Sequence, residues 1–335
     1  MLTRKNKIIF LWILFIFSVL SLAICPLIGM KNISIRVLLQ YHVDELEPSI
    51  YWNIRLPRVL LAFMVGALLS LCGMVFQAIF KNPLTTPFTL GVSSGAAFGA
   101  IAFIVFGAEA ASLGFAKSYF SAFTGALLSI ILVYIFARIR GGFSTFTMLL
   151  AGVAINFFFS SLILLFQYLA DFTKVFQTFR WLMGNLETYG FSKVVNIAPF
   201  FILGSLTVML FSNELNLMLL GEDMAISRGL DVNRFKLIMF VICSLMVGAS
   251  VSLCGVIGFV GMISPHICRL IIGSDHKYLT KASLFFGGFF MVACDTLSRK
   301  IIAPSELPVG IITALLGGPF FLWLLVNKRK GDALL

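Results

Sequence analysis

Ten apolar runs separated by short polar stretches organise the chain, at about residues 8–28, 57–80, 87–107, 118–138, 145–168, 190–212, 235–257, 259–273, 279–299 and 308–327. Most approach the roughly 20 apolar residues an α-helix needs to cross a bilayer. The pattern predicts an all-α, polytopic membrane protein with about ten transmembrane helices. The longest polar interruption in the second half is NELNLMLLGEDMAISRGLDVNRFK, Asn213 to Lys236. Within it Leu215, Met218 and Leu219 are spaced for one helical face, Gly221 breaks the run, and Glu222 and Asp223 suit the first turn of a second short helix ending near Gly229. Two short amphipathic helices have two readings here, a docking surface or a loop lying on the bilayer.

Proline and glycine refine this picture. Pro83, Pro87 and Pro265 interrupt apolar runs, and backbone groups freed in this way persist at membrane depth only against protein or a water-filled cavity. Broken helices are therefore expected near NPLTTP and SPH, along a pathway. Gly66 with Gly73, and Gly255, Gly258 and Gly261, permit close helix contact. MVGALLSLCG (Met64 to Gly73) and MVGASVSLCG (Met246 to Gly255) agree at eight of ten positions, with an offset of 246 − 64 = 182 that also pairs Pro83 with Pro265 and Gly91 with Gly273. Five spans lie between the copies, so they should run in opposite directions as inverted-topology repeats, about 55–168 and 235–327, within a single domain covering 1–335.

Composition excludes a soluble domain: 60% of the 335 residues are hydrophobic, 36 are Phe, and only 12% are charged. The net charge of +11 is scattered between apolar runs, which excludes a nucleic-acid partner and fits positive-inside topology. Ten spans place both termini on one side, and Arg4, Lys5 and Lys7 with Lys328, Arg329 and Lys330 mark that side as cytoplasmic. The first run resembles a signal peptide but is long enough to span and lacks a small-residue cleavage site, so it is read as the first helix. Arg55, Arg58 and Arg299 stand against the charge trend at external helix ends. Cys25, Cys72, Cys243, Cys254, Cys268 and Cys294 all lie in apolar runs without a CxxC pair and are read as small hydrophobes, with no metal or disulfide role.

Several motifs occur in order: RLPR at Arg55 to Arg58, NPLTTPFTLGVSSGA at Asn82 to Ala96, LLAG at Leu149 to Gly152, WLMGNL at Trp181 to Leu186, GFVGMISPHICRL at Gly258 to Leu270, and ELPVGIITALLGGPFFLWLL at Glu306 to Leu325. Together they resemble the permease subunits of ABC importers for iron-siderophores, haem and cobalamin, the FecCD type. The resemblance implies a bacterial plasma-membrane subunit that dimerises with a second permease subunit, identical or sibling. It also implies delivery by an extracytoplasmic binding protein and drive from two cytoplasmic ATPase subunits that hold ATP and magnesium. The permease itself would then be no enzyme and carry no cofactor. By the same resemblance Leu219, Gly221, Glu222, Ala225 and Gly229 belong to the ATPase-coupling loop, about 213–236, although Asp223 and Met224 depart from the Glu-Ala-Ala pattern of wider ABC permeases. Arg55, Arg58 and Arg299 would dock the binding protein through its glutamates. Ser144 and Thr145 would narrow the exit gate; from the residues alone they equally suit a helix N-cap after Gly141 and Gly142.

Residue chemistry agrees with this division of labour. The chain has no GxxxxGK[ST] phosphate loop and so is not its own ATPase. Asp295, with Arg299 four residues on, is the main ionisable group inside the spans, a scarcity that weakens an ion-coupled secondary transporter, the rival from another class. No paired carboxylates or Ser/His/Asp set suggests a membrane enzyme. His42 and His276 are expected to be solvated in loops and His266 to cap a helix break after Pro265. Ser93, Ser94, Asn156 and Gln167 are expected to line a mild, uncharged pathway, or else to hydrogen-bond neighbouring helices. The expected cargo is a ferric siderophore, with haem or cobalamin as the alternative.

Overall fold

The computed structural model describes residues 3–29, 33–34, 46–107, 114–139 and 144–327. His42, Gly141, Gly142 and the basic trio Lys328, Arg329 and Lys330 lie outside them. Each of the ten predicted spans contains a helix: α1 (Arg4–Ile24), α3 (Leu56–Phe80), α4 (Val92–Phe106), α5 (Gly114–Ile139), α6 (Thr145–Leu169), α8 (Ser192–Leu210), α11 (Val232–Cys254), α12 (Val260–Ile272), α13 (His276–Ser298) and α14 (Val309–Asn327). Between them lie α2 (Leu46–Ile50), continued by a π turn (Tyr51–Arg55), then α7 (Phe172–Leu182), α9 (Ser212–Leu220) and α10 (Glu222–Ser227). The pair α9 and α10 was expected from the sequence; α2 and α7 were not.

Six of the ten helices are long and apolar enough to cross a membrane, and α4, α12 and Val309–Trp323 of α14 are shorter apolar helices. The tenth, α13, carries Lys277 and Lys281 near its start and Asp295 near its end. It packs against α1, α3 and α12, with Asp295 buried among its partners and Lys277 and Lys281 exposed at the end that holds the start of the helix.

α3 is the centre of the bundle, with 21 of its 25 residues buried. Lipid tails are as apolar as leucine, so burial alone does not drive helices together in a membrane and close packing must. Glycines supply it: a methyl group at Gly73 would collide with the carbonyl oxygen of Gly261, and one at Gly66 with that of Gly287, so α3 meets α12 and α13 backbone to backbone. Gly255 also approaches another backbone, at Trp181, but Gly258 has nothing within 4 Å of an added methyl and plays no such part. α1, α6 and α8 instead leave most of their surface uncovered, including Trp12, Phe157, Phe158 and Leu203.

The repeated decapeptides lie on α3 and α11, which run antiparallel against each other. Phe76 sits 6.3 Å from Phe240 by ring centroids, and Cys72 Sγ is 3.9 Å from Met246 Sδ. The copies diverge where they end. Gly73 continues into the last turns of α3, whereas Gly255 adopts φ 71° and stops α11. The second chain break therefore falls at Gly255 to Phe259, both left-handed, and not at Pro265, which sits inside α12. His266 accordingly caps nothing; it is buried in α12 with its ring edge-on to Phe320, 6.1 Å away.

Two ends of the bundle can be told apart. Lys7 of α1, the start of α13, the pair α9 and α10, and the starts of α6 and α11 share one end. Cys25 after α1, Arg58 at the start of α3, and Asp295 and Arg299 at the end of α13 share the other. α14 runs alongside α12 in the same direction, with Gly317 facing Phe259 and Phe320 facing His266, and so heads back toward the first end.

Candidate functional site at the two ends of the bundle

At one end, Asp295 gathers the arginines. Its carboxylate is fully buried and accepts from Arg58 Nε at 2.8 Å and from Arg299 Nε at 3.1 Å, the second being an i, i+4 pair on α13. Arg58 donates in addition to Glu306, which lies half-exposed in the loop before α14. Arg299 Nη1 donates to Ile28 O at 2.7 Å and Nη2 to Cys25 O at 3.3 Å, tying α13 to the turn after α1. Arg55 Nη1 donates to Leu27 O at 3.2 Å and Pro26 O at 3.4 Å. The three arginines are thus 4 to 8% exposed and engaged within the chain. A buried guanidinium without a carboxylate would be strongly unfavourable, so the sequence places Asp295 and Glu306 beside it.

The opposite end holds the predicted loop, and the structure divides it differently from the sequence. Asn233 to Lys236 are the first turn of α11, capped by Asp231, whose side chain accepts from Arg234 N. Leu215, Met218 and Ala225 are buried and Leu219 is half-buried, so Leu219 and Ala225 hold α9 and α10 onto the bundle. The outward apolar side chains are Leu220, Met224 and Ile226. Gly221 separates the helices at φ 118°, ψ 155°, a conformation essentially reserved for glycine. Gly229, at φ 86°, ends the segment with nothing within 4 Å of where a methyl would sit.

Each short helix has its own anchor. On α9, Asn216 Nδ2 donates to Asp275 Oδ1 at 2.9 Å, while Asn216 Oδ1 accepts from His276 N at 2.8 Å and lies 3.1 Å from His276 Nδ1. His276 is therefore fully buried at the start of α13, not solvated. On α10, Glu222 Oε1 accepts from Lys236 Nζ at 2.7 Å, and Lys236 Nζ also donates to Thr145 Oγ1 at 3.2 Å. Lys236 went unnoticed in the sequence because it looked like the end of a polar loop; a lone lysine opening an apolar helix fourteen residues after a glutamate was the available signal.

Ser144 is the N-cap of α6, its Oγ accepting from Thr147 N at 3.1 Å. Ser93 and Ser94 are buried in the first turn of α4, where Ser94 Oγ donates to Gly91 O at 2.9 Å. Gln167 Nε2 donates to Thr178 Oγ1 of α7 at 3.1 Å. Asn156 Oδ1 is buried without a hydrogen bond among the described residues. Those four residues are spread over α4 and α6, and two of them are engaged in local or interhelical bonds.

The two charged clusters lie at the two ends of an apolar helical bundle, and two short helices offer apolar side chains at one of them, an architecture of a multi-pass membrane protein. The chain belongs to the FecCD transport family, whose profile matches residues 11–327. It is 40% identical over 289 residues, 86% of this chain and 82% of the relative, to an uncharacterised ABC transporter permease protein, YvrB, of Bacillus subtilis. It is 40% identical over 87% of its length and 77% of the relative's to the cobalamin import system permease protein BtuC of Halobacterium salinarum. The iron(3+)-hydroxamate import system permease protein FhuG of Bacillus subtilis is 32% identical across 98% of this chain and 100% of its own. A solved structure described as an inward-facing conformation of a metal-chelate type ABC transporter superposes with TM-score 0.86 at 31% identity, covering 95% of this chain and 99% of that one. The protein is thus an ABC permease of the family that serves iron chelates, haem or cobalamin, which implies a permease partner, ATPases and a binding protein.

Proposed function

We propose that the chain is the membrane permease of an importer for a ferric siderophore. The observation that supports this cargo is the end-to-end alignment with the ferric-hydroxamate permease. The α9–α10 end faces the cytoplasm, with both termini, and Leu220, Met224 and Ile226 meet the ATPase subunits beside Gly221, Glu222 and Gly229. Ala225, buried, and Leu219, half-buried, hold that surface in place. The Asp295 end faces outward and receives the binding protein, with Arg55, Arg58 and Arg299 clustered at the docking end. Two copies, or this chain and a sibling, enclose a pathway on which Ser93, Ser94, Asn156 and Gln167 border and which Ser144 and Thr145 close at the cytoplasmic end.

The decisive experiment reconstitutes the chain with its ATPase and binding protein in proteoliposomes. ATP-dependent uptake of a radiolabelled ferric hydroxamate, undiminished by excess cobalamin or haem, is the expected result. Uptake of cobalamin or haem in preference would replace the cargo while leaving the permease assignment intact.

A further inference from the structure

Glu222 falls in the ATPase-coupling segment and Thr145 at the gate, 77 residues apart, yet both meet the same side chain. Lys236 is 1% exposed, and its ammonium lies 2.7 Å from Glu222 Oε1 and 3.2 Å from Thr145 Oγ1. Thr145 closes the triangle by donating to Glu222 Oε1 at 3.5 Å. The three residues open three different helices: Glu222 is the first of α10, Thr145 the first of α6, and Lys236 lies in the opening turns of α11. We propose that Lys236 is the positioning residue that carries displacement of α10 into the gate end of α6. This rests on the reading of α9 and α10 as the ATPase-contacting segment.

Anchoring makes the direction of transmission specific. α9 is held to α13 through Asn216, Asp275 and His276, whereas α10 is seated by buried Ala225 and bonded to α11 and α6 through Glu222, and the two helices are separated by Gly221 in its glycine-only conformation. A push on Met224 or Ile226 therefore swings α10 about Gly221 while α9 stays fixed. Glu222, 42% exposed, moves with α10; Lys236 is buried and cannot be left without an acceptor. Its ammonium either follows Glu222, drawing on Thr145, or releases Glu222 and rests on Thr145 alone. In both cases the first residue of α6, immediately after the Ser144 cap, is relocated in response to α10. Two discrete arrangements biased by one partner are what coupling between separated sites requires.

The test uses the assembled transporter in proteoliposomes and reads substrate moved per ATP hydrolysed. Lys236→Met should lower that ratio by about tenfold, within the usual range of coupling between sites, and Lys236→Arg should restore much of it. Glu222→Ala and Thr145→Val, alone and combined, should act non-additively, because each interrupts the same triangle. A lysine that only stabilised the fold would change the amount of assembled transporter and leave the ratio untouched; an unchanged ratio in Lys236→Met overturns the proposal. Should Lys236→Met fail to insert, Glu222→Ala at its half-exposed position removes the acceptor and gives the same readout, and a wild-type ratio there overturns it equally. Absence of ATP-driven uptake in the wild type would overturn the coupling reading itself, whereas coupled wild type with unaffected variants removes only the Lys236 relay.

Discussion

The two charged clusters contain similar groups in opposite physical situations. Around Asp295 the carboxylate is fully buried and shared by two arginines that are also bound to carbonyls or to Glu306. Around Lys236 the cation is buried but its carboxylate is 42% exposed and attached to a six-residue helix beyond a glycine. The first cluster joins α3, α13 and the turn after α1 by several bonds, so that no single one can be exchanged without losing others. The second is a triangle whose acidic corner, Glu222, accepts from Lys236 and Thr145 on one oxygen and reaches solvent. The difference teaches that charge at a bundle end serves as a fixed joint when all its partners are buried and multiply bonded, and as a movable one when one partner reaches solvent.

The largest effect that sharpens this comparison is Asp295→Asn. Removing the shared charge leaves two buried guanidinium groups poorly compensated, a loss of about 3–5 kcal/mol by analogy with broken buried pairs. Thermal unfolding in detergent, followed by fluorescence-detected size exclusion, should show a markedly lowered midpoint. Replacing Arg58, Asp295 and Arg299 together by leucine or methionine should recover part of the loss, since an apolar substitute for a buried ion cluster is often neutral. An unchanged midpoint in Asp295→Asn would remove the cluster from the fold's energetics.

A smaller effect belongs to the hinge. Gly221→Ala forces a side chain into backbone that costs of order 1–3 kcal/mol for other residues, although little but Lys81 Nζ, 3.9 Å from an added methyl, lies nearby. Gly229→Ala, also uncrowded, should cost about 1 kcal/mol, as expected for a left-handed position. Both should shorten protection of the 213–231 segment against limited proteolysis, Gly221→Ala more. Equal protection in the two variants would mean that Gly221 is not the point at which α10 turns.

The spans were legible because the bilayer imposes a long apolar period that no loop imitates, and the α9–α10 pair because Gly221 and the acids after it mark a helix boundary on their own. The Asp295–Arg299 pair was likewise readable, being i, i+4 on one helix. What the sequence concealed was contact at a distance. Arg58 meets Asp295 across 237 residues, and the arginines looked like surface groups until the partners that bury them were in view. Burial of Leu219 and Ala225, and the outward turn of Leu220, Met224 and Ile226, depend on where the bundle lies relative to a very short helix; six or nine residues give too few turns for periodicity to choose the face. Pro265 misled for a related reason: its freed backbone group is tolerated within α12, and the chain breaks instead where Gly255 and Phe259 take left-handed backbone.

The smallest expected effect on stability is that of Glu222→Gln, and it separates the two clusters most cleanly. The amide oxygen of glutamine still accepts from Lys236 in the same place, and the charge removed is screened by solvent. The loss should therefore stay within roughly 1 kcal/mol, the range of exposed pairs. Raising salt from about 0.1 M to about 1 M shortens the screening length from roughly 10 Å to 3 Å. The difference between wild type and Glu222→Gln should shrink over that interval, whereas the difference for Asp295→Asn, buried from solvent ions, should persist. Unfolding midpoints of the three proteins across a sodium chloride series measure both at once. If Glu222→Gln destabilises as much as Asp295→Asn, and does so at every salt concentration, then Lys236 and Glu222 form a second fixed joint and the helix that carries Glu222 is not free to move.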